Sequence, residues 1–291
     1  MHQQKLTISG VGIQVEDHDG AEEAIIFLHY GGANLRMWDP VLPFFSQDYR
    51  CVALDLRGHG LSDAPATGYH IDDMARDVIG VADALGIDQA HVIGSSIGAE
   101  VGLSMAANYP NRMLSLVADG ALCSEYGPFG VREPEDLSED EEVKLQLEKR
   151  KDAPERTYES REAYLQKSSE FYKECGFWNP TVEAMLSYGA VENEEGEIVN
   201  AWRKRASDIY MEIYFDLRLE EYYERVTCPM IMLPEEEDVE DEKLFDIMTR
   251  LSRLPKQCEI VQVPGLIHPF GWMLNPEPVS RAVLDFYKRL R

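Results

Sequence analysis

The sequence predicts an α/β protein: a mainly parallel sheet with helices on both faces, interrupted by a helical insertion. Three observations carry that expectation. Between Ile25 and Asp119, short apolar runs alternate with segments of helical period, as successive βα units require when helices cover both faces of a sheet. Within that region AHVIGSSIGAEVGLSMAANYP, Ala90 to Pro110, passes from an apolar run through a glycine-serine turn into an alanine-rich helical pattern. From about Ser124 to Arg225 buried-strand runs stop and charged, aromatic segments replace them, over a length too great for a plain loop.

Composition bounds the function. At 291 residues and 44% hydrophobic content the chain can fill one large α/β domain, with or without an inserted subdomain. Fifty-three acidic against 28 basic residues give a net charge of −25, which argues against nucleic acid because phosphates would be repelled. Nothing reaches the roughly 18 apolar residues of a membrane span, and MHQQKLTISG lacks the apolar region of a secretory signal. Cys51, Cys123, Cys175, Cys228 and Cys258 form an odd, scattered set without a C-x-x-C pair, so neither a disulfide framework nor a zinc site is expected. A cytoplasmic protein acting on a small molecule is the resulting expectation.

Along the chain, Lys5 to Glu16 alternates apolar and polar residues and reads as a strand pair exposed on one face, closed by turn chemistry at Asp17–Gly20. Ala24–Leu28 is continuously apolar, a strand covered on both faces. It stops at His29-Tyr30-Gly31-Gly32, where glycines let backbone amides approach a ligand. A short helix is predicted over Trp38–Ser46, a buried strand over Cys51–Asp55, then the loop LRGHGLSD, Leu56–Asp63. Ile71–Gly86 has apolar residues at helical spacing and a glycine stop, so it is a crossover helix feeding the strand at His91–Ile93. Gly94-Ser95-Ser96-Ile97-Gly98 makes the tight turn, the next helix ends near Pro110, and Leu114–Asp119 is another strand. The insertion follows, with Arg132–Glu142 as its mobile, solvated entry. Cys228–Leu233 resumes the sheet and runs into Pro234-Glu235-Glu236-Glu237-Asp238. A helix over Glu242–Leu254, a last strand over Cys258–Pro264, the loop Gly265-Leu266-Ile267-His268 and a helix over Pro278–Leu290 close the chain.

Together LHYGG, DLRGHGLSD, GSSIG and the late G-x-x-H resemble, in content and order, the landmarks of the α/β-hydrolase fold family. The resemblance spans roughly residues 5–123 and 226–290. It implies an eight-stranded, mainly parallel sheet formed by residues 1–123 and 226–291, with residues 124–225 as a helical cap over the active site. G-x-S-x-G is that family's nucleophile elbow, which presents Ser96 at the carboxyl edge of the sheet and aims the Ile97 amide at an oxyanion. The loop at Gly31 is where the family keeps the second oxyanion donor. Tyr30 departs from the usual His-Gly, so Gly31 is favoured and the Tyr30 amide is the alternative. Asp55, Arg57 and Asp63 are expected to tie their loop down by charge pairing, with His59 as loop scaffolding.

A serine hydroxyl needs a base to take its proton and a carboxylate to orient that base. The family order of serine, acid, histidine selects His268 as the base. For the acid, counting from Pro229 selects Asp238, although Glu235 stands where the family has glycine. Glu236 and Glu237 are alternatives after a one-residue shift, and Asp119, ending the previous strand, is another. The implied reaction is acyl transfer on a small ester-like substrate, of carboxylesterase or lactonase type, without metal or organic cofactor. A carbon-carbon bond hydrolase or a cofactor-free peroxidase of the same fold is the chemical alternative, and a ligand-binding protein with a vestigial triad the non-enzymatic one. In the cap, Phe129, Trp178, Tyr188, Trp202 and Tyr210 are candidate pocket residues.

Overall fold

A computed structural model describes residues 1–291 apart from Ala121, Pro134, Glu135 and Glu194; two of these lie in the segment expected to be the mobile cap entry. The chain opens with β1 (His2–Ile8) and β2 (Val11–His18), paired antiparallel, followed by β3 (Ala24–Leu28), α1 (Leu42–Phe45) and β4 (Arg50–Leu54). Then come α2 (Ile71–Ala84), β5 (Ala90–Ser95), α3 (Ile97–Asn108) and β6 (Met113–Asp119). After the insertion, β10 (Met230–Leu233), α9 (Glu236–Glu240), α10 (Glu242–Leu251), β11 (Cys258–Ile260), α11 (Gly271–Leu274) and α12 (Pro276–Leu290) complete the core. The insertion holds α4 (Glu141–Asp152), β7 (Thr157–Tyr158), α5 (Arg161–Glu174), α6 (Pro180–Tyr188), β8 (Val191–Glu192), β9 (Ile198–Val199), α7 (Lys204–Tyr214) and α8 (Glu220–Tyr223).

One sheet of eight strands runs β1-β2-β4-β3-β5-β6-β10-β11. β2 meets β4 antiparallel, and every pairing from β4 onward is parallel. The central strands are apolar throughout because successive side chains enter opposite layers. In β3, Ile26 and Leu28 join one core, with Val92, Leu116 and the buried faces of α2 and α3. Ile25 and Phe27 join the other, with Trp38, Phe45, Val283 and Phe286. Both faces are thereby sealed, and each fully buried side chain of this size contributes about 1.5–3 kcal/mol.

Helix α2 shows the link from pattern to packing. Ile71, Met74, Ala75, Val78, Val81 and Ala82 are its buried stripe, at the i, i+3, i+4 spacing of an amphipathic helix. Gly86, at φ +69°, takes the left-handed conformation that ends it.

Two differences from the sequence reading have simple causes. The last strand stops at Ile260 rather than Pro264; it is an edge strand, and proline cannot donate to a ladder. The insertion also contains a three-stranded sheet, β7-β9-β8, whose strands of two residues are too short to leave a period-2 signal.

Candidate active site

The strand-turn-helix at Ser96 depends on its flanking glycines. A Cβ at Gly98 would stand 2.2 Å from the Leu28 carbonyl oxygen, and one at Gly94 would stand 2.3 Å from that of Gly98. Both distances are impossible, so α3 can cross this close to β3 and β5 only with glycine at both positions. The chain reverses through Ser96 itself, at φ +52° and ψ −122°, a conformation that costs a non-glycine residue about 1–3 kcal/mol and is retained where function needs it. Ser96 is the N-cap of α3, so the amide of Ile97 begins the helix without an intrahelical acceptor, at the positive end of its dipole.

β6 ends beside this turn. Asp119 pairs in register with Ser95 on one side and Leu233 on the other, which puts its carboxylate at the same carboxyl edge. That carboxylate is fully buried and closely held. Oδ2 accepts from the Ser95 hydroxyl at 2.6 Å and the Trp272 indole N–H at 2.8 Å, while Oδ1 faces His268 Nδ1 at 3.2 Å. Gly120, at φ +116°, leaves the room the imidazole occupies: a Cβ there would stand 2.8 Å from His268 Cε1. His268 reaches this point from the loop after β11.

The expected contact of His268 with Asp238 is therefore replaced by one with Asp119. Asp238 points back into its own turn, where Oδ2 accepts from the Glu235 amide at 3.1 Å. The acidic run instead organises the histidine loop. Glu235 Oε2 accepts from the His268 amide at 2.9 Å, and Glu236 Oε1 from the Gly265 amide at 3.1 Å. Glu237 sits on α9. Glu235, at the position where the family's glycine was expected, is thus an anchor of the loop that carries the imidazole.

Burial works to lower the pKa of His268, but the charge and hydrogen bond of Asp119, with the charges of Glu235 and Asp238, outweigh it and hold the imidazole above its ordinary value. Ser96 and His268 open into one cavity of about 240 Å³, also lined by Glu100, Glu125, Tyr214 and Asp238. Among the described residues no hydrogen bond joins the Ser96 hydroxyl to His268; such contacts commonly tighten only when substrate binds.

The loop His29–Gly32, which follows the end of β3 that Gly98 approaches, is fixed from behind. His29 is buried and held neutral, its pKa lowered to about 4 chiefly by desolvation. Nδ1 faces the Tyr30 carbonyl at 2.8 Å and Nε2 accepts from the Leu56 amide at 3.0 Å, so the proton sits on Nδ1. Gly31 lies against the insertion: a Cβ on it would stand 2.8 Å from the Trp202 ring. The Trp202 ring also stacks on His59, centroids 4.9 Å apart. Tyr30 turns its ring into an aromatic cluster, edge-on to Phe270 at 5.8 Å.

The neighbouring loop is tied as expected at two of three acids and bases. Arg57 forms a two-pronged pair with Asp77, both contacts 2.6 Å. Asp63 takes Lys5 and the Gly12 amide, at 2.6 and 2.7 Å. Asp55 has no charge partner in its hydrogen bonds; it accepts from the amides of Leu35 and Leu61 and from Tyr188 of α6. His59 is buried and held neutral, its pKa well below the ordinary value chiefly by desolvation.

Of the residues expected to line the pocket, Tyr188 and Tyr210 instead tie the insertion to the rest of the chain, Tyr188 through Asp55 and Tyr210 through Glu100. Trp202 covers Gly31. Phe129 lies under Arg250, and Trp178 under Lys173. Sequence reasoning missed Glu100, Glu125, Tyr214 and Trp272. Glu100 did leave a signal, as the sole charged residue of a mostly apolar helix.

Comparison with known proteins agrees with this fold. The model of the alpha/beta hydrolase fold family matches residues 23–168, half of the chain. A 2-(acetamidomethylene)succinate hydrolase of Mesorhizobium japonicum is 28% identical over 275 residues, covering 92% of this chain and 88% of that protein. The 3-oxoadipate enol-lactonase 2 of Acinetobacter baylyi is 37% identical over 94 residues, covering 32% of this chain and only about a third, 35%, of its own length. Among solved structures, that of E-2-(acetamidomethylene)succinate hydrolase superposes with a TM-score of 0.74 over 99% of both chains at 24% identity. No helix among the described residues is long and apolar enough to cross a membrane. With its elbow, sheet order and family match in agreement, the chain belongs to the alpha/beta hydrolase fold family.

Proposed function

We propose that the protein is a serine hydrolase that cleaves a small ester or lactone by acyl transfer, with Ser96 as nucleophile, His268 as base and Asp119 as the orienting acid. One observation carries the reading: Ser96 and His268 face a common cavity while the far nitrogen of the imidazole meets a buried carboxylate. Ser96 Oγ attacks the carbonyl as its proton passes to His268 Nε2, and Asp119 stabilises the imidazolium through Nδ1–H. The tetrahedral oxyanion takes the Ile97 amide and an amide of the Gly31 loop, donors that need no reorganisation. His268 then protonates the leaving alcohol, and water repeats the cycle to release the acid and free Ser96.

A cavity of about 240 Å³ corresponds to about eight water molecules at ~30 Å³ each, which suits a short acyl group. A cyclic ester undergoes the same chemistry, as the lactonase relative's name implies for that protein. The dicarboxylate in the name of the longer-matching relative does not suit this cavity. Acidic side chains, and no lysine or arginine, line the cavity among the described residues.

The test is acylation. A fluorophosphonate probe is expected to label the wild type and fail on Ser96→Ala, with short esters or lactones turned over by the wild type alone. Absence of labelling in a folded protein would favour a ligand-binding role.

A further inference from the structure

Resting on that reading, we propose that Glu100 selects the substrate, accepting a protonated amine or similar N–H group a few atoms from the carbonyl that Ser96 attacks. Glu100 follows Ser96 by four residues in the first turn of α3, where its amide donates to the Ser96 carbonyl at 3.0 Å. It lines the cavity shared by Ser96 and His268 and is only 4% exposed. A carboxylate so buried is costly unless a cation or several donors answer it. Here the answer is incomplete. Oε2 accepts from the Tyr210 hydroxyl at 2.6 Å, and among the described residues no lysine or arginine pairs with it.

The other acids of the cavity are already served. Glu125 is held by Arg132 and by the Tyr214 hydroxyl, both at 2.7 Å, and Asp238 by its own turn. Of the two cavity acids without a lysine or arginine partner among the described residues, Glu100 is the more deeply buried, and it faces the space a substrate must fill. Electrostatics point the same way. Burial pushes its carboxyl up to about 7, with Glu125 adding to the effect, while Tyr210 and His268 oppose it. Tyr214 and Tyr223 face it as neutral phenols, their own pKa values raised well above the ordinary value chiefly by burial. A ligand ammonium would draw the group into its ionised form and supply the missing charge. A ligand carboxylate would meet Glu100 and Asp238 with no lysine or arginine among the described lining residues to offset them.

The experiment compares three ethyl esters of similar acyl length, those of 3-aminopropanoate, butanoate and succinate (mono-ester), by ethanol release from the full-length protein. The ammonium ester is expected to exceed butanoate at least tenfold in kcat/KM, with the succinate ester slowest. The ammonium-to-butanoate ratio should climb as pH rises through about 7, a readout in which the ionisation of His268 cancels. In Glu100→Gln the ratio should fall at least tenfold; the pH dependence in the wild type serves if that variant does not fold. A ratio of one or less, an unhydrolysed ammonium ester, or a ratio flat with pH and unchanged in Glu100→Gln would overturn the proposal and leave Glu100 as a tie to Tyr210. Labelling of Ser96 by a fluorophosphonate in the same preparation separates that failure from failure of the hydrolase reading.

Discussion

His268 illustrates how side-chain chemistry follows from neighbours. Its elevated pKa has a sign that activity must report: the base works only when neutral, so kcat/KM on a neutral ester should rise with pH, with its inflection above the ordinary 6.5. Glu235→Gln removes one of the charges that favour the imidazolium, and its inflection should move to lower pH; a wild-type inflection below 6 would contradict this electrostatic account. The elbow serine and the loop histidine were legible because each sits in a motif whose spacing carries its geometry. The acid was not. By sequence Asp119 ends one core strand and Asp238 lies in the run just after another, and only the lateral registers Ser95–Asp119 and Leu233–Asp119 decide which carboxylate reaches the imidazole. Lateral pairing of strands distant in sequence leaves no local periodicity to read. Glu235 was hidden for a related reason, since its partner is a backbone amide 33 residues away.

Among elements, the tightest crossing is α3 against β3 and β5. Gly98→Ala would force a methyl to 2.2 Å from the Leu28 carbonyl oxygen, backbone that cannot rotate aside, so the loss of unfolding free energy should exceed the roughly 1–3 kcal/mol typical of overpacking. Thermal or urea unfolding measures it, and a near-wild-type stability would mean that α3 can shift. The helix α11 bears on the site through Trp272, whose N–H meets a buried carboxylate. Hydrogen bonds to charged groups contribute about 1.5–3 kcal/mol, so Trp272→Phe should lower stability by about that much and reduce kcat/KM more than tenfold without a matching change in KM. An unaltered kcat/KM would show that Ser95 alone suffices to hold Asp119. The core strands and the crossover helix were predictable from apolar period, whereas the two-residue strands of the cap and the indole contact depend on packing that no local pattern encodes.

For the molecule as a whole, the insertion and the sheet-bearing part are joined by polar ties: Tyr210 to Glu100, Tyr188 to Asp55, and the Asn34 side chain to the Met185 carbonyl. The insertion thereby touches both α3, through Glu100, and the loop after β3, where Trp202 lies against Gly31. Around this assembly a net charge of −25 creates a field that attracts cations and repels anions. Raising salt from about 0.1 M to 1 M shortens the screening length from ~10 Å to ~3 Å. Turnover of an ammonium-bearing ester should accordingly fall relative to that of a carboxylate-bearing one, by a few-fold in kcat/KM. Salt-independent ratios would confine charge selection to the cavity itself.

The assignment of the triad is tested most directly by kcat for a short ester in two variants, Asp119→Asn and Asp238→Asn, each checked for native folding. With Asp119 orienting His268, Asp119→Asn should lose about 10³–10⁴-fold, while Asp238→Asn stays within about tenfold and its pH inflection moves downward. The reverse order of losses would contradict the assignment and return the acid to the loop after β10.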